Sequence, residues 1–548
     1  MITRRTFVSD TSVAVTALAV GQAILARRPV DYDLVVRGGT VFDGTGAPGR
    51  DGDVAVTDGR IVELGGRVAQ RGRVEIDARG LAVTPGFIDI HSHGDGSLFE
   101  DPRLESVVRQ GVTTMVVGQD GSSRSAVGET DRGQATARRV DNFTALFASI
   151  DRVRPSVNVA SMIGLGTVRG AVVGDKDRPA TTDEMRVMIQ LVERALSQGA
   201  CGASSGLEYT PGAFATPEEL ITLCRPLAAR GLCYATHMRN EDDRLLDSID
   251  ESIAVARGAE CRLQISHLKT QGPRNWNKLE PAFARITNAR AAGLDVAFDR
   301  YPYIAYQTGL TNLFPVWSRD GGTSAFLARL NDPAVAPRIQ RETLAKVDLI
   351  GGWDNVLIAG VRAATDRAAE GKRLGAYAQS LGMEPYAATV AMLARNDGAI
   401  GMVGFAMSEE NLDRILAHPL GMVCSDGGAF AVEGPTRRGS PHPRGLGSFP
   451  RVLGRYVRER KALTLEQAIH KMTALPASRL NIRDRGRLAV GLAADLVVFD
   501  PATVADRATF EQPFAYPSGI AAVVVNGGIA VRAGEQRGAG NGRSIAVS

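Results

Sequence analysis

The sequence predicts an α/β fold, in which a (β/α)8 TIM-like barrel is joined to a small β-sandwich domain built from both ends of the chain. Between about residues 85 and 474, eight short apolar runs alternate with longer segments of helical composition, the pattern of a parallel barrel. Strand-rich segments flank this middle part at 30–84 and 475–548. Histidines or an aspartate close four of the eight runs, on the face where barrel active sites lie.

The two flanks consist of short apolar runs separated by Gly and Asp turns. The first contains DYDLVVRGGTVFDG, GDVAVTDGRIVELG and VEIDARGLAV, and the second contains GRLAVGLAADLVVFDP and IAAVVVNGGIAVRAG. This alternation of short apolar runs and turns is typical of small antiparallel sheets. We expect both flanks to pair into one β-sandwich.

The middle part supplies the eight expected barrel strands and one extra candidate. In chain order the strands are GFIDIH, GVTTMVVG, VNVASMIG, GACGASSG, GLCYATH, CRLQISH, GLDVAFDRYPY and GMVCSDG. A stretch at about 305–398 does not fit one βα unit, and a ninth strand-like run, IGMVGFAM, follows it. We interpret the stretch as an insertion over the barrel mouth.

The composition is that of a globular protein, and it limits the kinds of partner. The formal net charge is +4 over 548 residues, which gives no reason to expect nucleic acid or an integral membrane partner. The five cysteines are odd in number and show no CxxC spacing, so buried free thiols are expected rather than disulfides. The sequence leaves open whether the chain forms a homo-oligomer.

Residues 1–29 have the layout of an export signal. Arg4 and Arg5 precede an apolar stretch from about Val13 to Ala26, and the arginine pair is typical of the twin-arginine route. The stretch is short for a membrane span of about 20 residues. We expect export to the periplasm; an uncleaved anchor or a disordered tail is the alternative.

Polar side chains with metal-binding chemistry stand at the ends of the predicted barrel strands. His91 and His93 end the first strand, His237 the fifth and His267 the sixth, and Asp426 ends the eighth. The carboxyl ends of parallel barrel strands open on one face, so these side chains would converge. Imidazole and carboxylate are ligands for zinc and similar divalent metals. Each histidine alone would more often be structural, but the set in barrel order favours a metal site.

The chain resembles the amidohydrolase superfamily and, within it, the N-acyl-D-amino-acid deacylase (D-aminoacylase) family. The resemblance runs from about Tyr32 to Ala530. It rests on GFIDIHSHGD, GVTTMVVGQDGSS, GASSGLEYTPG, THMRNEDD, QISHLK, DRYPYIA, SDGG and HPRGLGSFPRVLGRY. HxH alone is a weak signal, whereas this set in this order is highly specific.

The resemblance implies a role for each matched metal-site residue. His237 and His267 would hold the tightly bound metal, and His91 and His93 would line a second position. Asp426 matches the aspartate that handles protons, and we count it among the metal ligands. The implied cofactor is Zn²⁺, as one or two divalent ions.

Asp120 stands where the family usually has a bridging cysteine in a GNCG-like motif. A carboxylate has two oxygens with which to bridge two metals, and it tolerates manganese, cobalt or iron better than a thiolate does. The alternative is that Asp120 only caps the turn before Gly121. A second departure is Leu165 in GLGTVR, where the family often has a histidine, although Arg169 remains.

The resemblance also implies a substrate with a free carboxylate. Arg444 would pair with that carboxylate, and Lys269, Tyr209 and Tyr301 would assist it. Arg437 and Arg438 lie between Asp426 and Arg444, so the sequence leaves open which arginine makes the pair.

The implied reaction is hydrolysis of an N-acyl-D-amino acid by metal-bound hydroxide, with Asp426 as general base and then general acid. A dipeptidase for D- or isoaspartyl-linked residues and a cyclic-amide hydrolase are the alternatives within the superfamily. Such relatives often carry a carboxylated lysine as the bridge, and no lysine ends the fourth strand, GACGASSGLEY. A non-catalytic binding protein on the same scaffold is a remote alternative.

Overall fold

The computed structural model describes residues 30–124, 142–537 and 540–547. The predicted signal segment, 1–29, lies outside the described residues. The strands are β1 (Val30–Val41), β2 (Arg50–Thr57), β3 (Arg60–Leu64), β4 (Arg71–Asp77), β5 (Ala82–Pro85), β6 (Phe87–Asp89), β7 (Val112–Val117), β8 (Asn158–Ser161), β9 (Ile163–Gly164), β10 (Gly202–Gly206), β11 (Cys233–His237), β12 (Arg262–Ile265), β13 (Val296–Arg300), β14 (Ala305–Gly309), β15 (Val356–Gly360), β16 (Gly401–Phe405), β17 (Gly421–Val423), β18 (Leu496–Phe499), β19 (Ile520–Val525), β20 (Gly528–Arg532) and β21 (Glu535–Gln536).

Helices cover the outside of the barrel and much of the insertion. They are α1 (Glu105–Val108), α2 (Phe143–Val153), α3 (Leu165–Val172), α4 (Thr182–Ser197), α5 (Pro217–Ala228), α6 (Leu245–Gly258), α7 (Leu279–Ala291), α8 (Gly322–Arg329), α9 (Ala336–Leu349), α10 (Leu374–Ser380), α11 (Pro385–Arg395), α12 (Glu409–Ala417), α13 (Arg444–Arg451), α14 (Leu465–Met472) and α15 (Ala474–Arg479). Helix α4 shows how local sequence sets the start of a helix, since Thr181 and Glu184 form a capping box there.

A nine-stranded sheet joins the two flanks of the chain. Its order is β21-β20-β19-β18-β5-β1-β2-β3, with β4 paired to β1. The flanks meet where β18 runs antiparallel to β5, with Leu496 opposite Pro85 and Phe499 opposite Ala82. The sheet packs on a core of Val, Leu, Ile and Ala side chains. The predicted β domain made by both chain ends is therefore confirmed.

All eight predicted barrel strands are present and parallel. They follow the order β6, β7, β8 with β9, β10, β11, β12, β13 and β17, the third being interrupted at Met162. Hydrogen bonds just beyond β6 and β17 close the ring, because Asp426 N donates to His91 O (2.8 Å) and His93 N donates to Gly427 O (2.9 Å). The closure thus lies among the predicted metal ligands.

The ninth strand-like run lies outside the barrel. It forms β16, which pairs antiparallel with β14 and β15 in a separate three-stranded sheet. Antiparallel pairing with β14 begins at Gly309 opposite Gly401 and ends at Ala305 opposite Phe405. The inserted sheet therefore extends past residue 398, because β16 needs β14 and β15 as partners to satisfy its backbone.

The cysteines have the buried, unpaired state that the sequence predicts. All five cysteines are buried and free. In the part of the chain that the structure describes, no helix combines the length and the apolar character that a membrane crossing needs.

A buried carboxylate connects the barrel to the β domain, and its removal should destabilise both. Asp495 Oδ1 accepts from Asn526 N (2.7 Å), its Oδ2 accepts from Asn158 Nδ2 of barrel strand β8 (3.1 Å), and the buried Arg485 pairs with it. We expect Asp495→Ala to lower the free energy of unfolding by about 3 kcal/mol, because buried donors lose their acceptor.

The control is Asp484→Ala, which removes a partly exposed partner of the same arginine and should cost less than about 1 kcal/mol. Chemical denaturation of both variants measures the difference. Equal losses would contradict a special role for the buried carboxylate.

Candidate active site

The six predicted metal ligands converge at the carboxyl ends of the barrel strands. They form two groups whose ligand atoms lie within 4.8 Å of one another: His91, His93, Asp120 and Asp426 in the first, and Asp120, His237 and His267 in the second. Asp120 belongs to both groups. The structure therefore brings together residues that stand more than 300 positions apart in the chain.

Asp120 lies at the centre of this cluster. Its Oδ1 is 3.4 Å from His91 Nε2, and its Oδ2 is 3.4 Å from both His93 Nε2 and His267 Nε2. His237 Nδ1 lies 3.6 Å from the same Oδ2. Each oxygen thus faces at least one imidazole nitrogen, which is the placement expected of a bridging ligand rather than of a turn cap.

Buried ligand atoms in the cluster lack hydrogen-bond partners among the described residues. They are Asp120 Oδ1 and both ring nitrogens of His91. Buried polar atoms are nearly always satisfied, so these atoms indicate a missing partner. Nitrogen and oxygen donors in a compact set fit a divalent metal such as zinc.

The backbone takes an unusual conformation at three of the ligands. Asp120 has φ 51°, His267 has φ 36° and Asp426 has φ 48°, in the left-handed region that residues other than glycine seldom occupy. Such strain persists only where the surroundings impose it, and it concentrates at functional sites. Here each left-handed residue follows a barrel strand and turns its side chain toward the cluster.

The turn that carries Asp120 is held by strand β10. Ser204 Oγ donates to Gly118 O (2.6 Å) and accepts from Gly121 N (3.1 Å), so one hydroxyl spans the turn. A Cβ on Gly206 would lie 2.2 Å from Asp120 O, so only glycine permits this approach. The GASSG segment therefore positions Asp120 without contributing a ligand.

Carboxylates stand behind the histidines, and the sequence did not predict them. Asp299 Oδ1 is 3.5 Å from His91 Nδ1, and Glu241 Oε1 is 3.2 Å from His267 Nδ1. The other oxygen of Glu241 lies 3.8 Å from His237 Nε2. In each case the opposite ring nitrogen faces Asp120, so these carboxylates lie on the side of each imidazole away from the centre of the cluster, where the outer partners of metal-binding histidines are found. The only sequence signals were the acidic residues in THMRNE and AFDR.

The cluster changes the pKa values of its members. Burial alone would lower the pKa of His93, but Asp120 and Asp426 raise it to about 9. Burial acts the same way on His237, whose pKa Glu241 and Asp120 raise to about 10. Against the opposing effect of burial, the imidazoles hold the pKa of Asp120 well below its usual range. Protons therefore compete with metal for the imidazoles, and metal binding should weaken as the pH falls.

A cavity of about 440 Å³ opens beside the cluster, and the predicted carboxylate-binding residues line it: Arg444, Lys269, Tyr209 and Tyr301. Arg444 NH1 lies 2.6 Å from Asp426 Oδ2, and its guanidinium stacks 4.7 Å from the ring centre of Tyr301. Arg444 Nε and the Tyr301 hydroxyl are buried, and neither finds a hydrogen-bond partner within the described ranges. These free donors suit an anionic group.

Comparison with known proteins gives the family. The model of the amidohydrolase family matches residues 74–311 and 433–531. The N-acyl-D-glutamate deacylase of Alcaligenes xylosoxydans xylosoxydans is 38% identical over 501 residues, covering 90% of this chain and 93% of that protein.

The chain belongs to the amidohydrolase family, in the group of the N-acyl-D-amino-acid deacylases.

Two further comparisons agree. The D-aminoacylase of the same organism is 35% identical over 507 residues, covering 90% of this chain and 94% of that protein. A crystal structure of N-acyl-D-glutamate deacylase from Bordetella bronchiseptica, complexed with zinc and a phosphonate mimic of the tetrahedral intermediate, superposes with a TM-score of 0.79 at 35% identity. That superposition covers 94% of this chain and 99% of the other.

Among the three arginines near the site of this amidohydrolase, Arg444 is the one that lines the cavity. Arg438 is exposed and pairs with Glu100 (3.0 Å). Arg437 donates to Val432 O (2.7 Å) in an exposed loop. The fold separates Arg444 from the other two arginines, because Arg444 is the first residue of helix α13 whereas Arg437 and Arg438 lie in the loop before it.

Lys269 and Tyr209 contact the cluster directly. Lys269 Nζ lies 2.6 Å from Glu241 Oε1 and 2.6 Å from His267 Nδ1. Tyr209 packs its ring 4.7 Å from that of His237, and its hydroxyl accepts from Thr308 Oγ1 (3.3 Å). Both therefore connect the metal cluster to the cavity wall.

The family histidine that Leu165 replaces has no polar substitute at that position. Leu165 is buried in the hydrophobic core. Arg169 is also buried, but it pairs with Glu219 (3.3 Å) and donates from Nε to Pro211 O (3.1 Å). Arg169 therefore supports loop structure and does not line the cavity.

Removal of the Asp120 carboxylate should reduce the metal content of the protein. We expect Asp120→Ala to bind less metal per chain than the wild type does, because both groups of ligands lose a shared oxygen donor. The control Glu100→Ala removes a carboxylate that pairs with Arg438 outside the cluster. Elemental analysis after dialysis measures both, and an unchanged stoichiometry in Asp120→Ala would rule out the ligand role.

Proposed function

We propose that this amidohydrolase cleaves the amide bond of N-acyl-D-amino acids, releasing a carboxylate and a free D-amino acid. The observation that carries the proposal is the adjacency of two features in one cavity: the cluster centred on Asp120, and the unpaired donors of Arg444 and Tyr301. A substrate held there by its carboxylate would present a nearby amide to the cluster. The similar deacylases named above support this reaction.

The residues of the cluster would hold one or two Zn²⁺ ions. His237, His267 and Asp120 form one set, and His91 and His93 share Asp120 in the other. A divalent metal, when bound, lowers the pKa of a water molecule and polarises the amide carbonyl. Because Asp120 is a carboxylate where the family usually has a thiolate, we propose that manganese, cobalt or iron also supports activity.

Asp426 would move the proton. Burial raises the pKa of Asp426, but the positive charges of Arg444, His267 and His91 lower it by more than burial raises it. The carboxyl group is therefore ionised at neutral pH. The carboxylate can therefore take a proton from the attacking water and pass it to the departing amine nitrogen. Asp426 Oδ1 lies 3.1 Å from His93 Nε2 and 3.5 Å from His91 Nε2, so it points into the cluster.

The cavity wall would bind the carboxylate of the substrate. Arg444 and Lys269 supply positive charge, and the hydroxyl of Tyr301 is free to donate. Burial raises the pKa of Tyr209 well above 10, so its phenol stays neutral and can also donate. Charge-assisted hydrogen bonds of this kind fix orientation as well as affinity.

The dipeptidase and cyclic-amide alternatives lack a specific observation in their favour. Strand β10 and the residues after it provide Gly206, Glu208 and Tyr209, and no lysine for a carboxylated bridge. Asp120 takes the central position instead, between both pairs of histidines.

The proposal is tested by a substrate screen on the purified protein. We expect release of amine from N-acyl-D-amino acids, and little from the L-isomers or from cyclic amides. Asp426→Asn should lower kcat by about 10²–10⁴-fold, the usual contribution of general acid–base catalysis, without loss of folded structure. Activity on L-substrates alone, or near-normal turnover by Asp426→Asn, would contradict the proposal.

Loss of the Arg444 guanidinium should weaken substrate binding. We expect Arg444→Ala to lower kcat/KM by at least about 30-fold, because a buried charged partner of the substrate carboxylate is removed. The matched control is Arg438→Ala, an exposed arginine in the same loop region, which should stay within about twofold of the wild type. Similar losses in both variants would contradict the assignment.

We propose further that residues 1–29 direct export by the twin-arginine route, which would place the enzyme in the periplasm. The support is the Arg4-Arg5 pair before an apolar stretch. Fusion of this segment to a reporter should carry the reporter to the periplasm, and replacement of both arginines by lysine should retain it in the cytoplasm. Export of the lysine variant would refute the route.

A further inference from the structure

A second cavity, the glycine groove, is lined by Asp120 of the cluster but not by Arg444. Its volume is about 620 Å³, and it shares Asp120, Ser122 and Tyr209 with the substrate cavity. Arg444, Lys269 and Tyr301 line the substrate cavity and are not part of the groove. The two cavities therefore meet at the residue on which the cluster is centred.

Glycines form much of the groove wall. Gly166 and Gly170 are four residues apart in α3, so they share one face of the helix, and Gly174 follows just after its end. The opposite wall includes Gly206 and Gly212. A Cβ on Gly166, Gly206 or Gly212 would lie under 3 Å from neighbouring backbone oxygens, so closely packed backbone, not side chains, forms this part of the groove wall.

Most of the residues that line the groove are uncharged. Besides the glycines they include Thr167, Ala171, Thr210 and Pro211. The charged residues in the lining are Asp120, Asp175 and Lys176. An uncharged, unbranched group would fit this lining without leaving a buried charge unpaired.

The walls of the groove are held in place by buried contacts. Arg169 Nε donates to Pro211 O (3.1 Å) on one wall, and its NH2 donates to Lys176 O (3.2 Å) on the other. Thr167 Oγ1 accepts from Ser123 N (3.0 Å), next to the cluster. The groove is therefore preformed, which lowers the entropic cost of binding.

Building on the proposed function, we propose that the glycine groove binds the acyl chain of the substrate and that this chain is neutral, straight and longer than acetyl. With the substrate carboxylate at Arg444 and the amide at the cluster, the acyl group must leave the cluster on another side, where the groove begins. Gly170 lies roughly 6 Å beyond Gly166 along the helix axis. An acetyl group would end near Gly166, whereas a longer chain would pass Gly170.

Position 170 allows the groove to be blocked without disturbing the fold. A Cβ there would meet Pro211 Cγ at 3.5 Å, an ordinary contact, and no other described atom within 4 Å. We would compare Gly170→Phe and the smaller Gly170→Leu with Gly170→Ala, which adds only the Cβ. The substrates are N-acetyl and N-octanoyl derivatives of the same D-amino acid.

For the wild type we expect kcat/KM for the octanoyl substrate to equal or exceed that for the acetyl substrate. Gly170→Phe should lose at least about tenfold on the octanoyl substrate, because pocket contacts with a few methylene groups are removed, and stay within about twofold on the acetyl substrate. Gly170→Leu should show the same selectivity to a smaller degree, and Gly170→Ala should match the wild type.

Three results would overturn the inference: a wild type that strongly prefers acetyl, an equal fold-loss of kcat/KM by Gly170→Phe on both substrates, or a change in preference among amino-acid side chains instead. Each of these presupposes hydrolysis of N-acyl-D-amino acids by the wild type. Absence of any such hydrolysis would refute the proposed function itself, so the two failures are distinguishable.

Discussion

The mutual compensation of buried charges at the barrel mouth is the constraint on which the rest of the site depends. Burial alone would disfavour every ionised form there, yet Asp120 and Asp426 each face more than one imidazole. Asp120 uses both oxygens in this way, and Asp426 adds the guanidinium of Arg444. Behind the imidazoles, Asp299 and Glu241 supply further acceptors. The same arrangement keeps ring nitrogens directed at one point, which is what a divalent metal needs.

The barrel holds this arrangement against the local preferences of the backbone. Three ligands lie in the left-handed region, a conformation that costs free energy and needs support from its surroundings. That support comes from neighbouring strands: Ser204 spans the turn of Asp120, and the hydrogen bond from Asp426 N to His91 O closes the ring. The scaffold and the cluster are thus coupled, since the bonds that close the barrel also place the ligands.

Two cavities extend from the cluster and have different chemistry. The substrate cavity contains buried cations and free donors, which suit a carboxylate. The glycine groove is lined mainly by glycine and other uncharged residues. A substrate with an anionic end and a neutral chain, joined by an amide, matches this division. Helix α13, which begins at Arg444, and helix α3, with Gly166 and Gly170 on one face, therefore contribute to opposite ends of the proposed substrate.

The sequence by itself determined the eight barrel strands, the polar residues that close them and the joining of both chain ends in one β domain. Periodicity and the rule that parallel strands open on one face were sufficient for this. Only the tertiary structure decided that β16 lies outside the barrel, that Arg444 rather than Arg437 or Arg438 lines the cavity, and that Asp299 and Glu241 stand behind the histidines. Local pattern states which face of a strand a side chain occupies. Its partner across the barrel depends on contacts between distant segments, which no single window of sequence contains.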